Sequence, residues 1–367
     1  MRLNKINLPF KKFDWLLFIA ICLLIILGLI VIYSVAVGSG TEQSMLNFHK
    51  QVVFFILSVF ILILIALFFD YRILIKYNLV LYGLALILLL AVLFFGKTIR
   101  GTTGWFNLGF FAFQPVEFVK IILIVYLSKF FSERAKYIGQ FRYLIFSSLA
   151  VILVVVLVAL QPDFGSALIL FGLWLMLIFL TGVKKNHLII IISVILIGAC
   201  IAWLFILQGY QKERIKVFLN PDLDPLGRGY NVSQAVIAIG SGGLWGKGLT
   251  FGSQSQLRFL PESQTDFIFA VLAEELGLAG IILLLGLFAF TFYRLIKIAK
   301  NSRDNFATYL VISTIALFFI QFIVNIGGNL GLLPITGITL PFISYGGSSL
   351  VANSILIGLI ESIVIRV

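Results

Sequence analysis

Ten long apolar segments follow one another along the chain, separated by connections of different lengths. A hydrophobic stretch of about 20 residues is long enough to cross the hydrocarbon core of a bilayer as a helix. The pattern therefore predicts an all-α polytopic integral membrane protein with about ten transmembrane helices. The predicted spans cover residues 15–37, 51–69, 74–95, 115–131, 142–160, 166–182, 187–207, 267–293, 308–326 and 348–365.

The composition agrees with a membrane protein and excludes a soluble one. Hydrophobic residues make up 61% of the 367 residues and charged residues only 11%, whereas soluble domains have about 45–50% apolar and about 25% charged residues. No low-complexity tract divides the chain, which is predicted to form a single membrane domain over 1–367. The two cysteines and two histidines are isolated and indicate neither a disulfide framework nor a metal site.

The net charge of +12 is explained by membrane topology. Lys and Arg cluster in the N-terminal tail and in the short connections after the second, fourth, sixth and eighth predicted spans. Basic residues near the ends of membrane spans mark the cytoplasmic side. Both termini are therefore predicted to be cytoplasmic, and the excess of basic residues does not indicate a nucleic-acid partner.

The connections on the other side carry most of the Gly and Pro residues, together with Trp105 and Trp245. The longest, 208–266, is predicted to be a large extracytoplasmic loop between the seventh and eighth helices. The last, 327–349, is too rich in Gly and Pro for a straight helix and too apolar for water. Irregular backbone at membrane depth must lie against protein or a wet cavity. This stretch is predicted to be a re-entrant segment before the tenth helix, with a tight interfacial hairpin as the alternative.

Charged residues inside the predicted spans are costly and need a partner or a function. Glu117 and Lys120 stand three residues apart near the outer end of the fourth span, within reach of each other on a helix. They are interpreted as a structural ion pair, as a polar wall of a cavity for a charged lipid headgroup, or as both. Glu274 is predicted to pair with a cationic group on a neighbouring helix, and Glu275 to have a packing role.

Two aspartates stand at the outer ends of predicted spans. Asp266 opens the eighth span, where it would cap the helix or serve as a partly shielded carboxylate at the outer interface. Asp163 lies between Pro162 and Gly165, where it would shape a turn through an Asx hydrogen bond or contact a substrate.

The 208–266 loop combines basic residues with a glycine-rich run over 240–248. Cationic side chains beside exposed backbone amides suit a phosphate group, although the Walker A pattern is absent. A flexible solvated loop is the default interpretation. The basic residues that suit a phosphate are Lys212, Arg214, Lys216, Arg228 and Lys247.

Five segments in one collinear order together resemble the SEDS family, named for shape, elongation, division and sporulation. The short termini and the segments IAIGSGG and QSQLRFLPES are closer to its elongation members. Ser263-Gln264 departs from those members, which often have a basic residue and a histidine there, so local loop contacts should differ. The five segments are RGTTGWFNLGFFAFQPVEFVK (100–120), QPDFGSA (161–167), IAIGSGGLWGKG (237–248), FLPESQTDFIFAVLAEELG (259–277) and GLLPITGITLPFISYGGSS (331–349).

The resemblance implies a peptidoglycan glycosyltransferase that polymerises lipid II during cell elongation, with its active site on the outer face of the bacterial cytoplasmic membrane. The 4-hydroxyl of the acceptor GlcNAc would attack the anomeric carbon of the donor MurNAc, and undecaprenyl diphosphate would leave with inversion. The expected partners are lipid II, the nascent glycan strand, a class B penicillin-binding protein (the transpeptidase), other elongation-complex membrane proteins and membrane lipids.

The resemblance also implies roles for individual residues. Asp266 aligns with the family's general base, Glu117 and Lys120 with its intramembrane polar pair, and Trp105 with a functional tryptophan. Trp105 is equally interpretable as an aromatic residue of the membrane interface. A divalent cation such as Mg²⁺ would suit the diphosphate, although no ligand cluster in the sequence indicates one. The further candidates for substrate binding are Arg100, Asp163, Arg214, Lys216, Lys247, Glu274 and Ser344.

Two other functions remain open at the level of the sequence. A lipid II flippase would also have ten spans, intramembrane charges and broken helices. Its charged site should lie near the middle of the membrane, however, whereas the polar motifs here gather on the outer side. The third alternative is a non-catalytic scaffold for the penicillin-binding protein.

Overall fold

Helices lie at all ten predicted spans in the computed structural model. The structure describes residues 12–99, 101–107, 109, 112–135, 140–182, 184–201, 204, 209–220, 223–224, 227–257 and 259–366. The helices at the predicted spans are α1 (Trp15–Ser39), α2 (Glu42–Phe68), α3 (Ile73–Phe95), α4 (Pro115–Glu133), α5 (Phe141–Ala159), α6 (Phe164–Leu180), α7 (Lys185–Ile201), α11 (Ile268–Asn301), α12 (Asn305–Asn329) and α13 (Gly347–Arg366).

Seven of these helices are long and apolar enough to cross a membrane: α1, α2, α3, α5, α11, α12 and α13. Helix α6 is apolar but shorter, at 17 residues, and the 19-residue α4 carries four charged residues. The prediction of a helical, multi-pass membrane protein is confirmed. Which face each terminus occupies stays a prediction.

A small β-sheet precedes α4, where the sequence predicted only a connection. Strands β1 (Lys97–Ile99), β2 (Thr102–Asn107) and β3 (Ala112–Phe113) pair antiparallel in the order β1-β2-β3. The all-α fold class holds, and these short strands are an addition within the connection before α4. The sequence did not indicate them, because strands this short pair across tight turns and leave no clear periodic signal.

The described residues of the 208–266 segment form three helices, α8 (Gly209–Leu219), α9 (Arg228–Ser241) and α10 (Ser253–Gln256). Ala235 and Ala238 of α9 are fully buried, and the start of the following turn approaches α11 so closely that a Cβ at Gly242 would lie 2.0 Å from the Ala273 carbonyl oxygen. The expectation of a flexible solvated loop is therefore wrong for 228–256. The physical reason is the packing of this segment against α11.

Helix α11 is broken at Gly277, whose φ of 64° and ψ of −160° are not helical. A break of this kind frees backbone groups that a continuous helix would pair. The turn after α9 satisfies them on both sides. The N–H groups of Lys247 and Gly248 donate to the carbonyls of Glu274 and Glu275 at 3.0 Å each, and the N–H groups of Leu278 and Ala279 donate to the carbonyls of Gly243 and Leu244 at 3.0 and 3.1 Å.

Replacing Gly277 with alanine should destabilise the protein by more than about 1 kcal/mol, because a side chain is strained at positive φ. The new Cβ would also lie 2.2 Å from the backbone nitrogen of Gly246. Gly286→Ala in the same helix is the matched control, since a Cβ added at Gly286 would have nothing within 4 Å. The control should stabilise by about 0.5–1 kcal/mol. Thermal unfolding in detergent measures both, and equal effects would contradict the account of the break.

The Gly- and Pro-rich stretch before α13 is irregular and packed inside the protein. Helix α12 ends at Asn329 and α13 begins at Gly347. Between them, Ile343 is fully buried and packs so closely on α1 that a Cβ at Gly28 would lie 2.4 Å from its carbonyl oxygen. Irregular backbone covered by protein is the kind that a membrane tolerates. The re-entrant path of this stretch through the membrane stays a prediction.

Candidate active site at the start of α11

Asp266 lies in a tight turn directly before α11. The carbonyl of Glu262 accepts hydrogen bonds from the N–H groups of Thr265, Asp266 and Phe267, at 3.0, 3.1 and 3.3 Å. Asp266 itself is half-buried. It lines a small pocket with the end of α12 and the irregular stretch that follows. The lining residues are Asp266, Phe267, Val324, Asn325, Gly328, Asn329, Ile335, Thr336, Gly337 and Ile338.

Ser344 lies under the turn that carries Asp266. Its hydroxyl donates to the Thr265 carbonyl at 2.7 Å and accepts from the Leu340 N–H at 2.9 Å. The side chain is 5% exposed, so its contacts in the structure support the turn. Its predicted contact with a substrate stays a prediction.

Gln264 belongs to the Ser263-Gln264 pair, where elongation members of the family often have a basic residue and a histidine. Its side chain is buried, and its Oε1 accepts from Asn47 Nδ2 of α2 at 3.1 Å. The Gln264 carbonyl accepts from the Tyr345 N–H at 2.8 Å. The turn before Asp266 is therefore tied to α2 on one side and to the irregular stretch before α13 on the other.

Glu117 and Lys120 form the buried ion pair that their spacing predicted. Lys120 Nζ donates to Glu117 Oε1 at 2.8 Å, and the side chains of Lys120 and Glu117 are 4% and 7% exposed. Glu117 Oε2 is buried and has no hydrogen-bond partner among the described residues. The pair thus retains one carboxylate oxygen that could accept a hydrogen bond from a ligand or from water.

The ion pair lies toward the same end of the bundle as Asp266. Helices α4 and α12 are antiparallel, because Ser128 Oγ lies 3.3 Å from Ser313 Oγ while the ring of Phe131 lies 6.1 Å from that of Tyr309. Lys120 is eight residues before Ser128, which is about 12 Å along the helix, and this places it beside the final turns of α12. The pair is nevertheless absent from the described lining of the Asp266 pocket.

Glu274 pairs with Lys247, so two of the predicted substrate-binding residues contact each other. Lys247 Nζ lies 2.9 Å from Glu274 Oε1. The fully buried carboxylate also accepts from Ser253 Oγ, Gln254 N and Ser255 N, at 3.3, 2.9 and 3.1 Å. The prediction of a cationic partner is confirmed, but that partner comes from the turn after α9 and not from a neighbouring helix. Lys247 is already paired, so its predicted contact with a diphosphate would require it to leave Glu274.

Replacing Lys247 with methionine should destabilise the protein by about 2–3 kcal/mol, because Glu274 would stay buried with its cation removed. Lys216→Met is the matched control, since Lys216 is exposed on α8 and its removal should change stability by less than about 0.5 kcal/mol. Thermal unfolding of both variants in detergent measures the difference. A Lys247 variant as stable as the control would show that the ion pair does not hold this turn.

The second buried acid, Glu275, has the packing role that was expected. Its Oε1 accepts from Ser34 Oγ of α1 at 2.6 Å, and the Thr250 N–H donates to the same hydroxyl at 2.7 Å. Glu361 lies elsewhere, near the start of α1, where its Oε2 accepts from the Asp14 N–H at 3.0 Å.

Asp163 shapes its turn through side-chain hydrogen bonds, which was one of the two interpretations of this residue. It precedes α6, and its Oδ1 accepts from the Ser166 N–H at 3.0 Å while its Oδ2 accepts from the Ser166 hydroxyl at 2.8 Å.

Trp105 lies on β2 and is half-buried. Its Nε1 donates to Thr102 Oγ1 at 3.3 Å. Neither this arrangement nor that of Asp163 tests a contact with a substrate.

Three predicted substrate-binding residues remain, namely Lys216, Arg214 and Arg100. Lys216 is exposed on α8, and Arg214 belongs to the same helix. Arg100 lies outside the described residues. Within the part of the chain that the structure describes, no three His, Cys, Asp or Glu side chains are grouped to hold a metal ion, so no residues are assigned to a divalent cation.

Sequence reasoning missed Asn325 and Asn329 of α12. The side-chain Nδ2 of each donates to the Asp266 carbonyl, at 3.2 and 2.8 Å. Their positions in the sequence could have indicated them. Two side-chain amides one turn apart near the end of an apolar helix need hydrogen-bond partners in the protein. The candidates inside the predicted spans were limited to charged residues, and asparagine is uncharged.

These features define a class: a multi-pass helical membrane protein with a half-buried carboxylate at the start of a broken helix. The family model FTSW_RODA_SPOVE, described as a cell cycle protein, matches residues 14–366. The chain belongs to this family, which is the SEDS family that the sequence motifs indicated.

Relatives cover almost the whole chain. Peptidoglycan glycosyltransferase MrdB of Escherichia coli (strain K12) is 37% identical over 348 residues, which are 93% of this chain and 92% of MrdB. Stage V sporulation protein E of Bacillus subtilis (strain 168) is 36% identical over 360 residues, which are 95% of this chain and 96% of that protein.

Solved structures agree with this assignment. A chain of a peptidoglycan synthase complex, solved in a study of coordinated polymerization and crosslinking, matches with a TM-score of 0.81 and 31% identity, over 96% of this chain and 97% of that one. The rod shape determining protein RodA of Thermus thermophilus matches with a TM-score of 0.69 and 28% identity, over 96% of each chain.

Proposed function

We propose that this chain is a peptidoglycan glycosyltransferase that polymerises lipid II into glycan strands during cell elongation. It works in the bacterial cytoplasmic membrane with its active site on the extracytoplasmic face. The observation that carries the proposal is the position of Asp266, a half-buried carboxylate in a turn held by hydrogen bonds from Ser344 and Asn329. The chain is also 37% identical to a peptidoglycan glycosyltransferase over nearly its whole length.

Asp266 is proposed to act as the general base. The acceptor's 4-hydroxyl gives its proton to the carboxylate while its oxygen forms a bond to the anomeric carbon of the donor. The bond from that carbon to the diphosphate oxygen breaks, and undecaprenyl diphosphate leaves with the electron pair. A single displacement of this kind inverts the anomeric centre and needs one base beside the acceptor.

A class B penicillin-binding protein is the proposed partner. Support comes from the structural match to a chain of a peptidoglycan synthase complex. In such an assembly the glycosyltransferase lengthens the strand and the transpeptidase crosslinks it. The nascent strand and membrane lipids are the other expected contacts.

Lipid II flipping is the second candidate, and the break of α11 at Gly277 is the observation that favours it, because discontinuous helices are typical of transporters. Two assays on the same proteoliposomes separate the candidates. An enzyme should release one undecaprenyl diphosphate for each glycosidic bond formed. A flippase should move lipid II between leaflets without forming strands, and that outcome would remove the enzymatic assignment.

A further inference from the structure

The amide of Asn329 joins two positions at the start of α11. Its Nδ2 donates to the Asp266 carbonyl at 2.8 Å, and its Oδ1 accepts from the Ala270 N–H at 3.2 Å. The same Nδ2 donates to the Asn325 carbonyl, also at 2.8 Å. Asn329 is 2% exposed. Its contacts with Ala270 and Asn325 are buried, and its contact with Asp266 is partly buried.

The start of α11 needs such a contact. The first N–H groups of a helix have no partner within the helix, and a residue before the helix usually supplies a side-chain acceptor. At α11 the residue in that position is Phe267, which makes no side-chain cap. Asn329 supplies the acceptor from another helix and holds the preceding carbonyl with its donor.

We propose that Asn329 is the positioning residue that fixes Asp266 at the start of α11. It acts through the Asp266 peptide group and not through contact with the reacting atoms. The inference rests on the proposed function, in which Asp266 is the general base.

The neighbouring carbonyls show why Asn329 carries most of this constraint. The carbonyl of Gln264 is held by Tyr345, and that of Thr265 by Ser344. The carbonyl of Asp266 is held from α12, by Asn329 at 2.8 Å and by Asn325 at 3.2 Å. The shorter of these two contacts comes from Asn329, which also reaches one turn further along α11.

A small displacement of Asp266 should be costly, because misplacing a reacting group by about 1 Å can lower a rate by about 10²-fold. Asn329→Leu removes both kinds of hydrogen bond and keeps the number and branching of the side-chain heavy atoms. Asn329→Asp keeps an acceptor for the Ala270 N–H but loses the donor to Asp266. Asn353→Leu is the matched control, a 2% exposed asparagine of α13 that lies outside the pocket lining.

The experiment uses the purified full-length chain with its partner and measures kcat and KM for lipid II together with amide hydrogen exchange over 267–272. Asn329→Leu should lower kcat by about 10²-fold, leave KM within about twofold, and expose the Ala270 amide to exchange. Asn329→Asp should lower kcat while the Ala270 amide stays protected. The control should retain wild-type kcat and exchange.

Three outcomes would overturn the proposal: unchanged kcat in Asn329→Leu, an equal loss of kcat in the control, or a loss that appears only in KM. In the Asp266→Asn background, a further loss of activity on adding Asn329→Leu would also show that Asn329 does not act through Asp266. If the wild type forms no strands, the proposed function fails instead. Hydrogen exchange at the Ala270 amide then still tests the hydrogen bond between Ala270 and Asn329. If that amide stays protected from exchange in Asn329→Leu, the hydrogen bond does not hold the start of α11.

Discussion

Replacing Asp266 with asparagine should lower the turnover of lipid II polymerisation by about 10²–10⁴-fold, the usual contribution of a general base. Asparagine has nearly the same shape and keeps the backbone carbonyl to which Asn325 and Asn329 donate, so the turn should stay in place. It cannot take the proton of the acceptor hydroxyl. The expected signature is therefore a loss in kcat with little change in KM, measured with purified lipid II.

Asp304→Asn is the matched control for that substitution. Asp304 also stands directly before a helix, at the other end of α12, and its side chain accepts from the Phe306 N–H at 3.2 Å. Asparagine caps a helix about as well as aspartate, so this variant should retain wild-type turnover. Wild-type turnover in Asp266→Asn would remove Asp266 as the base. A matching loss in Asp304→Asn would show that losing a carboxylate before a helix lowers turnover without any role as a base.

Replacing Lys120 with methionine should destabilise the protein by about 3–5 kcal/mol, because Glu117 would be left as a buried carboxylate without its cation. The double variant Glu117→Gln, Lys120→Met should recover much of that loss, since neutral groups of similar size carry no uncompensated charge. Thermal unfolding in detergent measures the single and double variants.

The same helix offers a control for this prediction. Lys129 and Glu133 also form an ion pair on α4, at 3.7 Å, but their side chains are 23% and 50% exposed. Lys129→Met should therefore cost less than about 1 kcal/mol. Equal losses at Lys120 and Lys129 would contradict the account.

The double variant also separates the two interpretations of the buried pair. If the pair only braces the bundle, the stable double variant should polymerise lipid II at close to the wild-type rate. If the charges bind a lipid headgroup, it should fold and yet lose activity.

The sequence predicted the positions of ten helices because their apolar residues are nearly continuous, and seven of these helices are long and apolar enough to cross a membrane. It could not predict the break at Gly277, because apolar residues flank that glycine on both sides and the break is completed by the turn after α9. The identity of the cationic partner of Glu274, Lys247, was missed for the same reason. The two partners are 27 residues apart and meet only once that turn is packed on α11.

The site was predicted only in part. A charged residue in an apolar span is a clear signal, and Glu117 and Lys120 carry it at helical spacing. Asp266 was predicted from the segment FLPESQTDFIFAVLAEELG (259–277), which resembles the family's motif around its general base. The support of its turn depends on contacts such as that from Asn329, which is 63 residues away, and such contacts follow from the packing of α11 on α12.

The proposed glycosyltransferase activity is tested by measuring the formation of glycan strands from purified lipid II. The reaction would contain the full-length chain and its class B penicillin-binding protein, with transpeptidation blocked by a β-lactam so that strand growth alone is measured. We expect long strands from the wild-type complex and about 10²–10⁴-fold slower growth from an equally folded Asp266→Asn complex. A folded wild-type complex that forms no strands, or an Asp266→Asn complex that forms them at the wild-type rate, would contradict this expectation.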